Sequence, residues 1–288
     1  MNITTDWHIH SHNSCDCHGR GMTMAEIIEG AAGAGITDFG VTEHLHSRYN
    51  MPDIVASRQE FLQSNPPRRF HFGVEVTCMR RWELDEIASG RHAEPAWGIW
   101  EGGPGGGPFA IDLDEQDVEA LGIEYVVAAV HWARGVPLER QAIIEDYLQQ
   151  YLFLITHPLV DIIAHPWWWN GHFEDADGRF TGKPWFDDFK VIPQSVHDEF
   201  IAALIANHKA AEINPGVLLT HYYPEAWRMQ YLEYLGRLAE RGAKLAAGSD
   251  RHLRPYENQF EEMGRMLDTV AIRNEDLWRL PPRRAAAR

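Results

Sequence analysis

Two imidazoles stand one residue apart in His8-Ile9-His10, near the start of a 288-residue chain that holds 16 histidines. On an extended backbone such a pair projects to one face and can grip a single cation. The pair alone is a weak signal, because His10/His12 and His44/His46 repeat its spacing. Position strengthens it. Glu43 and His44 follow FGVT, Glu75 ends HFGV, His131 ends VVAAV, His165 ends DIIA, and Asp250 and His252 follow LAAGS, while AAEIN carries Glu212 and Asn214. These short apolar runs read as strands, so metal-capable side chains recur at strand C-terminal ends, a phase that scattered surface histidines would not show.

The elements that must bring such distant residues together follow from periodicity. Strands are expected near Asp6 to His8, Asp38 to Thr42, His71 to Val76, Glu124 to Val130, Asp161 to Ala164, Ala210 to Ile213 and Lys244 to Ala247. Helix-like stretches alternate with them, among them Thr23 to Ala34, Leu138 to Ile155, Val196 to Asn207, Pro224 to Arg241 and Glu257 to Leu267. Thr23 with Glu26 three residues later is a capping-box start. About seven such repeats predict an α/β chain folded as a TIM-like barrel, in which every strand C-terminus faces one rim. An unfilled ring of buried carboxylates and imidazoles on that rim would be costly without cations.

HIHSHNSCD, VTEH, GVEVT, AAVHW, IIAHPW and AAGSDRH, in this order, resemble the motifs of the PHP (polymerase and histidinol phosphatase) metallohydrolases over almost the whole chain, Asp6 to His252. The resemblance implies a distorted (β/α)7 barrel, a single domain over residues 1–279, with two or three divalent cations. It assigns His8, His10, Glu75 and Asp250 to a first metal, with Glu75 bridging to a second held also by His131 and His165. His44, His252 and Asp16 would hold a third. Asp16 stands where many members have histidine, and His18 competes for that place. Imidazoles with carboxylates suit transition metals, Zn, Mn or Fe, rather than Ca or Mg alone. Such a cluster lowers the pKa of a shared water and clamps an anionic oxygen, so the expected activity is hydrolysis of a phosphoester in a small phosphorylated molecule, with hydroxide formed on the cluster as attacking group. Two rivals differ in class. An amidohydrolase-like C-N bond hydrolase also opens on HxH but needs a middle-strand lysine where this chain has Glu75. A noncatalytic metal-binding PHP module is the other.

Arg20, Arg134 and Arg251 flank these motifs and could grip a phosphate bidentately. Trp7, Trp132 and Trp167-Trp168-Trp169 adjoin candidate ligands too; they could stack on substrate, although packing around the barrel mouth is the commoner role. GIWEGGPGGG, Gly98 to Gly107, is too glycine-rich for regular structure and reads as a solvated insertion or a lid. Residues 280–288, LPPRRAAAR, read as a disordered tail. The chain carries 42 acidic against 26 basic residues, a net charge of −16 that disfavours long nucleic acid. No apolar run spans a membrane and no leader pattern marks secretion, so a cytoplasmic location is expected, with Cys15, Cys17 and Cys78 as reduced thiols.

Overall fold

The computed structural model describes residues 1–99, 103–104, 106–133, 135–137, 139–168, 185, 188–219, 223–252, 256 and 258–281. Among them the strands are β1 (Thr5–Asp6), β2 (Asp38–Leu45), β3 (Phe70–Thr77), β4 (Met79–Arg80), β5 (Phe109–Ala110), β6 (Tyr125–Ala129), β7 (Ile162–Ile163), β8 (Ala210–Ile213) and β9 (Lys244–Ala247). The helices are α1 (Met24–Gly33), α2 (Met51–Gln63), α3 (Arg81–Ala88), α4 (Glu115–Leu121), α5 (Arg140–Thr156), α6 (Gln194–Ala206), α7 (Pro215–Leu218), α8 (Glu225–Glu240) and α9 (Gln259–Thr269).

Seven strands pair in parallel in the order β1-β2-β3-β6-β7-β8-β9. The sheet nearly closes: Trp7 N donates to Ala247 O at 2.8 Å, Asp250 N to His8 O at 2.7 Å and His10 N to Arg251 O at 2.8 Å. The result is the expected TIM-like barrel in one α/β domain. No helix among the described residues is long and apolar enough to cross a membrane.

The barrel interior is filled from below. Trp7, Tyr125, Val127, Ile162, Ala210, Ala246 and Trp278 form one buried cluster. Tyr125 reaches across to donate to Trp7 O at 3.0 Å. Its phenol occupies the space where Cβ atoms at Gly40 and Gly73 would lie, 2.2 Å from the hydroxyl oxygen and 2.7 Å from the ring, so β2 and β3 need glycine at this level. Small alanines above leave room at the rim. Strand alternation fixes the rest: with Gly40 and Gly73 inward, His44, Glu75 and Thr77 point inward too.

Several boundaries differ from the sequence reading. β1 stops at Asp6, so His8 lies beyond the paired strand, while β2 runs on through Leu45 because its register with β3 continues from Phe39 to Leu45. Helix α2, unanticipated, buries Ile54, Ser57 and Phe61, a stripe too sparse in apolar residues to register by periodicity. The antiparallel pair β4/β5 and helices α3 and α4 were also unanticipated. Helix α1 starts as expected, with both capping-box hydrogen bonds between Thr23 and Glu26.

Candidate metal centre

The two inward-facing ends of β2 and β3 bring His44 Nδ1 to 2.6 Å from Glu75 Oε2. Around Glu75 the other strand ends converge. Its Oε2 lies 3.3 Å from His8 Nε2 and 3.5 Å from His10 Nε2; its Oε1 lies 3.4 Å from His131 Nε2 and 3.5 Å from His165 Nε2. Asp250 Oδ1 is 3.3 Å from His10 Nε2 and 3.6 Å from His8 Nε2. Asp16 Oδ2 is 2.7 Å from His252 Nε2 and 3.4 Å from His44 Nε2. All nine residues singled out as ligands thus lie together. His18 does not join them: it is 59% exposed in its side chain and pairs with Asp53 at 3.3 Å.

The donor set fits cations. Both Glu75 oxygens are buried without a hydrogen-bond partner, although imidazole nitrogens surround them. Among the described residues the charged partners of Asp16, Glu75, Glu212 and Asp250 are imidazoles, with no Lys or Arg ion pair. Burial alone would push the Glu75 carboxyl up, yet His44, His8 and His131 hold it well below the carboxylate range. Asp16 and Asp250 are held low against burial by His252 and His44, and by His8 and His10. In return Glu75 and Asp16 lift His44 to about 10 against its burial, while His10, buried against His252 and His44, falls to about 3. The carboxylates therefore need positive charge, which without metal only imidazole protons supply and which bound cations would replace. The atoms within 4.8 Å of one another include the sets His8/His10/Glu75, His44/Glu75/His131, His10/His44/His252 and Asp16/Cys17/His252.

Further residues hold this arrangement. Glu212 takes His8 Nδ1 at 2.6 Å and accepts from His165 N at 2.6 Å and Asn214 Nδ2 at 3.3 Å. Gly248 makes that possible, because a Cβ there would sit 2.0 Å from Glu212 Oε1. His252 Nδ1 faces Asp250 O at 2.8 Å and His10 Nδ1 faces Ser14 Oγ at 3.4 Å, leaving both Nε2 atoms toward the cluster. Glu43 points the other way on β2 and accepts from Ser11 N at 2.9 Å and Ser57 Oγ at 2.7 Å, tying α2 to the turn after His10. His165 and Asp250 adopt φ of 24° and 51°, left-handed values that cost a non-glycine residue roughly 1–3 kcal/mol and concentrate at functional sites.

The flanking residues scatter. Exposed Arg20 donates to Asp16 O at 3.4 Å. The Arg251 guanidinium lies 5.7 Å over the Tyr256 ring. Arg134, Trp169, and residues 100–102 and 105 of the glycine-rich stretch lie outside the described residues, as do residues 282–288 of the tail. Trp7 and Trp167 are core residues, the one inside the barrel and the other packed with Tyr151 and Trp185. Trp168 stays near the site, its ring 5.0 Å from that of His165. Trp97, which the sequence reading passed over, is 36% exposed and stands 5.7 Å from the His44 ring and 4.7 Å from the His46 ring. Only its place at the mouth of the excursion between β3 and β6 could have drawn attention to it.

No family model and no curated protein matches the chain. Among solved structures it is similar to the histidinol phosphate phosphatase HisK of Lactococcus lactis, solved with zinc, L-histidinol and phosphate, at TM-score 0.61 and 16% identity over 94% of each chain. It is also similar to a Listeria monocytogenes protein assigned as the histidinol phosphatase HisK, at TM-score 0.52 and 13% identity, covering 92% of this chain and 99% of that one. At these identities the shared property is the fold, a barrel matched along nearly its full length.

Proposed function

We propose that this chain is a metal-dependent phosphoesterase of the PHP type acting on a small phosphorylated molecule. The observation that carries the reading is the cluster around Glu75, a fully buried carboxylate with neither oxygen hydrogen-bonded and five histidines from four strand ends about it. His8, His10, Glu75 and Asp250 would hold one cation, Glu75, His131 and His165 a second, and Asp16, His44 and His252 a third. Divalent transition-metal ions bound there would supply Lewis acidity, bringing the pKa of water toward neutrality and offsetting charge on a phosphoryl oxygen.

The chain's own part is to present lone pairs. Glu212 engages His8 at Nδ1, Asp250 O takes His252 Nδ1, and Ser14 faces His10 Nδ1, so each Nε2 is left for coordination. Arg20, at the rim beside Asp16, would meet a phosphate; Arg134 and Arg251 have the charge for the same task. An amidohydrolase-like site needs a lysine at a middle strand end, where this chain offers Glu75. The Lactococcus enzyme, whose structure holds zinc, histidinol and phosphate, supports the same substrate class on the same fold.

Purified protein, stripped and then reloaded with Zn, Mn or Fe, should be assayed against phosphomonoesters, phosphodiesters and amides. Phosphoester turnover that disappears with chelator and returns with metal is the expected result. Turnover of amides alone would transfer the chain to the rival hydrolase class, and full metal loading without turnover of any substrate would favour a noncatalytic module.

A further inference from the structure

His131 is assigned as a metal ligand through Nε2, and its other nitrogen makes an unusual contact. Nδ1 lies 2.9 Å from Thr77 Oγ1, and the same oxygen lies 2.7 Å from His46 Nδ1. All three side chains are buried, and they come from one level of neighbouring strands, since β3 lies between β2 and β6. His8 is oriented differently, because its partner Glu212, as a carboxylate, only accepts. A hydroxyl has one proton and both gives and takes, so Thr77 cannot by itself decide which nitrogen of His131 carries hydrogen.

The three groups have two consistent directions. In one, His46 Nδ1–H donates to Thr77, Thr77 donates to His131 Nδ1, and the His131 proton sits on Nε2 facing Glu75. In the other, His131 Nδ1–H donates to Thr77, Thr77 donates to His46 Nδ1, and the His46 proton sits on Nε2. Passing from the first to the second takes one proton from His131 Nε2 and returns one to His46 Nε2 by exchange with water, with both rings neutral and no net release. Only the second leaves a lone pair on His131 Nε2.

The far end of the chain selects between them. His46 Nε2 is buried with no hydrogen-bond partner, and the rings around this imidazole are the indoles of Trp97 at 4.7 Å and Trp132 at 5.6 Å together with the imidazoles of His44 at 4.9 Å and His131 at 5.4 Å. Electron-rich aromatic faces tolerate an N–H and repel a bare lone pair. We propose that His46 is a positioning residue for His131: keeping its own proton on Nε2, it accepts the Thr77 hydroxyl proton at Nδ1 and so holds the His131 proton on Nδ1 and its Nε2 lone pair toward Glu75. The inference rests on reading His131 as a ligand.

Zinc titration of the full chain by chelator competition tests it without recourse to activity. Thr77→Val should weaken one zinc equivalent by about 10–100-fold, the range seen when a partner behind a metal-bound histidine is removed, while Thr77→Ser should restore wild-type affinity. Long-range nitrogen–proton NMR of the zinc-loaded wild type should show His131 protonated on Nδ1 and His46 on Nε2. That spectrum decides the matter if Thr77→Val fails to fold. Unchanged zinc affinity in folded Thr77→Val, or a His46 proton on Nδ1, overturns the inference while leaving the metal centre intact; a wild type that takes up no zinc overturns both.

Discussion

The carboxylate of Asp16 lies 2.7 Å from His252 Nε2, joining the turn after the first strand to the loop beyond the last. His44 completes the group at 3.4 Å from the same oxygen, and His18 points away to Asp53. Two neutral imidazoles hold a cation poorly without an anionic ligand. Asp16→Ala should therefore lose about one metal equivalent and most turnover, and His18→Ala should keep both. Elemental analysis with kcat for the two variants checks this, and a damaging His18→Ala with a harmless Asp16→Ala would reverse the assignment.

Glu75 is the common neighbour of the cluster, with its two oxygens facing different histidines. Glu75→Gln keeps the shape and removes the charge between two cations. Phosphoester hydrolysis should fall by at least about a hundredfold and metal content should drop with it. Equal activity in variant and parent would place the measured hydrolysis elsewhere.

Much of this centre was legible in the sequence for a topological reason. In a parallel barrel every strand C-terminus faces one rim, so the phase of His44, Glu75, His131 and His165 against their apolar runs carries three-dimensional information. What sits behind the ligands was not legible. His46 repeats the HxH spacing of His8 and His10, yet it faces Thr77 rather than the cluster, and only the sheet order reveals that Thr77 lies between it and His131. Trp7 adjoins His8 in sequence but packs against Tyr125 inside the barrel, below the ligands. Arg251 likewise stands between Asp250 and His252 while its guanidinium covers Tyr256. Glu212 was visible as a strand-end carboxylate, but its role depends on Gly248 of a neighbouring strand end, a contact that spacing cannot express.

That contact predicts the behaviour of two substitutions. Glu212 accepts from both His8 and His165 N, whereas an amide side chain in its place has one oxygen for two donors, so one contact becomes donor against donor. Glu212→Gln should weaken metal binding by about 10–100-fold. Gly248→Ala should do the same, since its methyl would occupy the position of the Glu212 carboxylate. Chelator competition on both variants measures the effect; wild-type affinity in Glu212→Gln would mean that His8 needs no such support.

At the opposite end of β3 from the rim's chemistry, His71 bridges two acids, with Nδ1 3.0 Å from Glu124 Oε2 and Nε2 3.1 Å from Asp38 Oδ1. Partial burial pulls its pKa down, but hydrogen bonds to Asp38 and Glu124 prevail and raise it to about 9. A histidine whose folded pKa exceeds its unfolded value, near 6.5, binds its proton more tightly in the native state. The stabilisation is fully present below about pH 6.5 and is lost as pH rises through about 9. His71→Gln lacks the titrating ring, so the stability difference between wild type and variant should be largest near pH 6 and should shrink steadily toward pH 9.5 or so. Urea unfolding of both proteins at matched, saturating zinc isolates this term, because metal-linked protonation is common to the pair and cancels in the difference. A gap that stays constant across that range, or widens with pH, would show that His71 is neutral in the native protein and donates to only one of Asp38 and Glu124.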